Sequence, residues 1–264
     1  MPQLSLPHVS LHYRLDGPSA APVVMLCNSL SSNLAMWDHQ VPALCEAGFR
    51  VLRYDARGHG ASSVAQGATA IADLAADAIA LLDHLELPRV HFCGLSLGGM
   101  TGQWLGTQHA ARLHTLALCA TAAYMGPVEL WDQRIDAVSQ AGMAAVADAT
   151  IARWFTPAAQ RRIPDEIARI RDGILATPVA GYVACCRAIR DMDQRESVRA
   201  IAVPTAVLVG ADDPSTPVSA AELLHERIPG SRLSVIPDAQ HFFNVEAPAA
   251  FNAALLGFLR DVAA

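Results

Sequence analysis

The pentapeptide Gly94-Leu95-Ser96-Leu97-Gly98 lies between an apolar run at residues 90–93 and a segment of helical character at residues 97–109. Strand, tight turn and helix in that order make a nucleophile elbow, which holds a serine at its apex with the hydroxyl exposed. The flanking glycines suit a turn in which the backbones pack too closely for side chains. A serine hydroxyl is a weak nucleophile until a base takes its proton. An elbow at Ser96 therefore requires a histidine elsewhere in the chain, and an acid to orient it.

Working outward, Val23-Val24-Met25-Leu26-Cys27 is a continuous apolar run suited to a central strand buried on both faces. Residues 49–54 form the next expected strand, and the alternation around Pro7 in residues 3–15 predicts an antiparallel hairpin. Helices are expected at 37–47, stopped by Gly48, and at 69–85, where Ile71, Leu74, Ala75, Ala78, Ile79, Leu82 and Leu85 recur at helical spacing. Thr69 is the candidate N-cap of the second helix, and Pro88 marks its stop. A strand at 113–119 follows the elbow helix. The alternation resumes with a strand at 203–209, a helix at 218–228, a strand at 233–236 and a final helix at 247–262. This pattern implies the α/β class: a mostly parallel sheet with crossover helices on both faces. Between residues 122 and 198 no strand-like run occurs, and the helical pattern breaks at Pro127, Pro157, Pro164 and Pro178. That segment predicts a helical cap insertion of about four helices. The expected division is a core of residues 1–121 and 199–264, with a cap at 122–198.

Open α/β sheets place their sites past the C-terminal ends of the strands. Two such places lie downstream of the elbow. The strand ending at Val209 runs into Gly210-Ala211-Asp212-Asp213-Pro214, and the strand ending near Ile236 runs into Asp238-Ala239-Gln240-His241. His241 alone among the histidines follows a late strand and is the candidate base. The acid is Asp213 or Asp212; both also suit a turn before Pro214. Asp213, three residues past Gly210, is preferred. Its task would be to fix the imidazole tautomer and stabilise the imidazolium. A tetrahedral intermediate also needs backbone N–H donors. The candidates are Leu97, directly after the serine, and Leu30 in the loop Asn28-Ser29-Leu30 after the 23–27 strand.

Composition narrows the chemistry further. The 264-residue chain has a formal charge of −6 and contains no lysine, so it offers neither a basic surface for nucleic acid nor a lysine nucleophile. No run reaches the roughly 18 apolar residues of a membrane helix, and the N-terminus lacks a signal-peptide pattern. The six cysteines form no C-x-x-C and read as buried free thiols of a reducing, cytoplasmic compartment. The ten histidines show no zinc-type pairing, so no metal is expected.

Taken together, these residues resemble the α/β-hydrolase family across nearly the whole chain. The order Ser96, Asp213, His241 is the family's order. Asp55-x-Arg57-Gly58-His59-Gly60-x-Ser62 looks like its D-x-R-G-H-G-x-S loop, which makes His59 architectural rather than catalytic. A narrower resemblance is to the 3-oxoadipate enol-lactonases of the β-ketoadipate pathway. It rests on Asn28-Ser29-Leu30, where most of the wider family has His-Gly, and on Arg153-Trp154-Phe155-Thr156-Pro157. It rests also on Gly181-Tyr182-x-x-Cys185-Cys186-x-Ala188-Ile189-Arg190-Asp191-x-Asp193, and on His241-x-x-Asn244-Val245-Glu246-x-Pro248. The chain departs from that pattern at Ser31-Ser32, where glycine is common, and at Phe242-Phe243, where a smaller or more polar pair is expected. Both departures flank the expected site.

The resemblance implies an α/β-hydrolase fold and cofactor-free hydrolysis of a five-membered enol-lactone carrying an acetate arm. Rival readings are another carboxylesterase, a C–C bond hydrolase, a perhydrolase and a non-catalytic small-molecule receptor. The expected partner is a small anionic lactone, with neither nucleic acid nor membrane, and the sequence does not exclude a homo-oligomer. The substrate carboxylate needs a donor. The cap supplies Arg134, Arg153, Arg187 and Arg190, of which Arg134 with Trp131, an i, i+3 pair, is preferred.

Overall fold

The computed structural model describes residues 2–263. The strands are β1 (Gln3–Ser5), β2 (Ser10–Asp16), β3 (Val23–Cys27), β4 (Arg50–Tyr54), β5 (Val90–Leu95), β6 (Leu113–Cys119), β7 (Thr205–Gly210) and β8 (Arg232–Ile236). They form one sheet in the order β1-β2-β4-β3-β5-β6-β7-β8. β1 and β2 are the expected hairpin, and β2 pairs antiparallel with β4; every other pairing is parallel.

The helices are α1 (Gln40–Glu46), α2 (Ile71–His84), α3 (Leu97–Gln108), α4 (Val128–Ala141), α5 (Ala144–Trp154), α6 (Pro157–Arg162), α7 (Pro164–Leu175), α8 (Val179–Arg190), α9 (Val218–Arg227), α10 (Phe243–Glu246) and α11 (Pro248–Ala263). Because strand side chains alternate between faces, the central strands feed two cores. Val24 and Leu26 of β3 join Leu44 of α1 and Phe251 and Leu255 of α11. Met25 and Cys27 join Ala78 and Leu81 of α2 and Leu224 of α9 on the other face. A strand buried on both faces has no polar positions to spare, which is why 23–27 reads as an unbroken apolar run. Trp131, Ile151, Trp154 and Tyr182, from the helices between β6 and β7, belong to the first of these cores. That segment packs continuously with the sheet domain.

Some boundaries differ from expectation, each for a local reason. The helix expected at 37–47 is split into a 3-10 turn, Leu34–Trp37, capped by the Asn33 side chain, and then α1. α2 begins after Ala70 rather than Thr69, and the Asp73 carboxylate accepts the Ala70 N–H at 2.8 Å. Segment 122–198 holds five α-helices rather than about four, because Gly142, at φ 71°, ends α4 where no proline announces a break. Pro248 opens α11 and detaches the short α10 from it. All six cysteines are free, and five are buried; Cys45 is half-buried. No described helix is long and apolar enough to cross a membrane.

Candidate active site

Ser96 sits between β5 and α3 with φ 57° and ψ −111°, a conformation that costs a non-glycine residue about 1–3 kcal/mol. The surroundings over-determine it. The Ser96 N–H donates to the Cys119 carbonyl at 2.9 Å, and the Ser96 carbonyl accepts from the Met100 N–H at 2.9 Å and from Thr121 Oγ1 at 2.8 Å. A methyl group on Gly94 would collide with the Gly98 carbonyl, and one on Gly98 with the Cys27 carbonyl. The two glycines are thus required by close backbone approach.

The loops after β7 and β8 bring Asp213 and His241 together. His241 Nδ1–H donates to Asp213 Oδ2 at 2.8 Å, with Thr216 Oγ1 a longer 3.3 Å from the same nitrogen. Asp213 also accepts from Thr216 Oγ1 at 2.8 Å, from the Ser215 N–H at 2.7 Å and from the Thr216 N–H at 3.1 Å. Burial pushes the Asp213 carboxyl up, but the His241 charge and these donors outweigh it and hold it below the usual carboxylate range. Asp212 is exposed. Thr216 is a partner that sequence reasoning missed, since a threonine in a turn carries no signal of its own.

Ser96 and His241 line a cavity of about 420 Å³. Leu30 lines it too, and Leu97 lies directly behind Ser96 as the first residue of α3. Among the described residues, neither the Leu30 nor the Leu97 N–H donates a hydrogen bond. The loop carrying Leu30 is held by Asn28, whose Nδ2 donates to the Tyr54 carbonyl at 2.8 Å and whose Oδ1 accepts from the Trp37 indole at 3.0 Å. Asn28 is thus a buried anchor for the loop that brings Leu30 to the cavity wall.

The wall contributed by α4, α5 and α8 includes Trp131, Arg134, Arg153 and Tyr182. Arg134 lies over the Trp131 ring, 5.3 Å from its centroid, and the Trp131 indole is spent on the Met125 carbonyl at 2.6 Å. Arg153 makes one long contact, 3.4 Å to Thr150 Oγ1. Its guanidinium is depressed by burial and then by the neighbouring charge of Arg134. Among the described residues neither Arg134 nor Arg153 has a carboxylate partner, whereas Arg190 is paired with Asp132 and Asp191, and Arg187 is exposed away from the cavity. The cavity therefore faces two guanidiniums, Arg134 as preferred from the sequence and Arg153 beside it.

The Phe242-Phe243 departure does not face this cavity. Phe242 stacks on Trp154 with centroids 4.1 Å apart and planes 4° from parallel, and Phe243 packs edge-on against Phe251. Ser31 does line the cavity, while Ser32 turns to a neighbouring one. His59 is fully buried and bonded to the Arg57 carbonyl at 3.0 Å, consistent with an architectural part. Burial pushes the thiols of Cys27, Cys185 and Cys186 up to about 12, which makes them poor nucleophiles.

A strained serine at a strand–helix turn, a buried Asp–His pair and a covered cavity define a hydrolase-type site. Residues 22–248 match the alpha/beta hydrolase fold family. Over 252 residues the chain is 38% identical to 3-oxoadipate enol-lactonase 2 of Acinetobacter baylyi, covering 96% of this chain and 94% of that protein. Among solved structures, the enol-lactonase from Burkholderia xenovorans superposes with a TM-score of 0.95 at 41% identity, covering 98% of this chain and all of the other. A hydrolase from Pseudomonas aeruginosa gives 0.94 at 45% identity, covering 98% and 97%. The chain belongs to the alpha/beta hydrolase fold family.

Proposed function

We propose that this protein hydrolyses 3-oxoadipate enol-lactone to 3-oxoadipate, a step in the breakdown of protocatechuate or catechol, using Ser96, His241 and Asp213 as a catalytic triad. The observation that carries the reading is the make-up of the cavity. Ser96 and His241 line it together with Arg134 and Arg153, which have no carboxylate partner among the described residues. A small lactone bearing a free carboxylate suits both. Relatives named as enol-lactonases across nearly the full chain support the same substrate class.

In this reading Ser96 Oγ attacks the ring carbonyl carbon while its proton passes to His241 Nε2. Asp213 keeps the proton of the neutral imidazole on Nδ1, so that Nε2 is free to accept. The Leu30 and Leu97 amides take the developing oxyanion, helped by the N-terminal end of α3. Collapse breaks the ring acyl–oxygen bond. The leaving enolate takes the proton from His241 and tautomerises to the ketone, remaining part of the acyl chain on Ser96. His241 then deprotonates water, which attacks the acyl carbon; Ser96 leaves with its proton returned. An enolate leaves more readily than an ordinary alkoxide, and no step calls for a cofactor. Residues 122–198 serve as the cap that carries the carboxylate-binding wall.

The test is a comparison of kcat/KM for the enol-lactone with that for short p-nitrophenyl esters and an aromatic ring-cleavage diketone. The lactone is expected to be turned over fastest. Much faster turnover of either alternative overturns the assignment.

A further inference from the structure

The loop carrying His241 is gripped on both sides of the histidine by one short stretch, residues 154–156, at the junction of α5 and α6. On one side the Gln240 N–H donates to Glu246 Oε2 at 2.8 Å. The other oxygen of that carboxylate accepts from the Thr156 N–H at 3.1 Å and from the Thr156 hydroxyl. On the other side the Phe242 N–H donates to the Trp154 carbonyl at 3.0 Å, and the Phe242 ring stacks on the Trp154 indole. Arg162 of α6 donates to the Glu246 carbonyl, so two cap residues converge on Glu246. The short helix that carries Glu246, α10, reaches back toward the Leu30 loop, where Asn244 Nδ2 donates to the Met36 carbonyl at 2.7 Å. Met36 in turn touches the Ser29 N–H through its sulfur at 3.4 Å.

We propose that Glu246 is a positioning residue for His241, a latch that makes the cap segment 154–156 part of the base's own scaffold. The inference rests on His241 being the base of the proposed hydrolysis. Glu246 is 2% exposed and does not line the cavity, so it acts through its neighbours and not on the substrate. The chemistry of the latch calls for a carboxylate. N–H and O–H donors approach both oxygens, and an ionised carboxylate is acceptor-only. A glutamine of the same shape would turn an NH₂ toward one of the two donor sets and open that side of the latch. The leverage is large because proton transfer needs His241 Nε2 within hydrogen-bond reach of Ser96 Oγ, and a misplacement of about 1 Å can cost on the order of 100-fold in rate.

The test compares full-length wild type with E246Q, T156V and T156S. The measurements are the rate constant for reaction with a fluorophosphonate, kcat and KM with p-nitrophenyl acetate, and the thermal unfolding midpoint. A small neutral ester needs no arginine wall, so it reads the base rather than substrate capture. E246Q and T156V are expected to react with the fluorophosphonate at least about tenfold more slowly per folded molecule, with kcat falling in step and KM within about twofold. T156S, which keeps the hydroxyl, is expected to restore most of the rate. Folded E246Q and T156V that react at the wild-type rate, or that raise KM with kcat unchanged, overturn the inference while leaving the triad reading intact. If E246Q does not fold, T156V, which retains the carboxylate, carries the same comparison. Wild type that fails to react with the fluorophosphonate overturns the triad reading and this inference together.

Discussion

Gly58 and Gly181 meet backbone to backbone: a Cβ on either would come within 2.5 Å of the other's Cα. Gly58 belongs to the loop after β4 that reads Asp-x-Arg-Gly-His-Gly, and Gly181 to the first turn of α8. Two motifs more than a hundred residues apart in sequence are therefore one contact in space, and that contact seats α8 against the sheet domain.

Gly181→Ala is expected to force this seam open. Overpacking at a tight contact costs about 1–3 kcal/mol, which lowers the unfolding midpoint of a domain this size by roughly 2–12 °C. Gly58→Ala should cost more, because its φ of +73° adds strain for any side chain. Thermal unfolding of the two variants checks the ranking. A rise in KM for the lactone should accompany it, since Tyr182, next to Gly181, lines the cavity.

Ser96→Gly should abolish hydrolysis and fluorophosphonate labelling yet stabilise the fold. Glycine accepts φ 57° and ψ −111° freely, so about 1–3 kcal/mol of stored strain is released, less roughly 1 kcal/mol for added chain entropy in the unfolded state. The unfolding midpoint of the inactive variant is therefore expected to equal or exceed that of wild type. A clear fall would refute the claim that the elbow is strained.

Arg153→Met and Arg134→Met separate capture of the carboxylate from chemistry. Each is expected to lower kcat/KM for the anionic lactone by roughly 10- to 100-fold, the worth of a charge-assisted hydrogen bond of about 1.5–3 kcal/mol. The rate with p-nitrophenyl acetate should change little. Parallel losses on both substrates would point instead to a disturbed fold.

Asp213→Asn should remove a pH-dependent contribution to stability as well as most of the activity. The folded carboxyl lies below its ordinary value of about 3.9, so the unfolded chain binds the proton first as pH falls. The stabilisation is full above about pH 5 and drains away as pH drops through the depressed folded value. Urea unfolding between pH 3 and pH 7 should accordingly show the stability gap between wild type and the variant narrowing toward the acid end. A gap that stays constant across that range would remove the ionic role given to Asp213.

Much of the architecture was legible because its signals are local. The apolar run at β3, the helical spacing in α2 and the hairpin pattern of β1 and β2 each depend on residues a few positions apart. The departures from it had other causes. The end of α4 at Gly142 was hidden because one glycine within a helical pattern is a weak stop beside a proline. The 3-10 turn before α1 was hidden because the Asn33 cap and the Trp37–Asn28 bond are contacts that spacing does not announce. Phe242, next to His241 in sequence, flanks the expected site, but its ring stacks on Trp154 of α5 and does not line the cavity.

The sequence by itself determined the ingredients of the candidate site: a serine at a strand–helix turn, and an aspartate and a histidine after later strands, in the order that parallel topology brings to one sheet edge. Chain direction and side-chain period are enough for that. Only the tertiary structure decided that Asp213 rather than Asp212 faces His241, that Arg153 joins Arg134 on the cavity wall while Arg190 is neutralised by Asp132 and Asp191, and that residues 154–156 grip the loop of His241. Those outcomes depend on which way each side chain is turned when distant helices pack. Burial and competing partners set that direction, and neither is written in the spacing of residues along the chain.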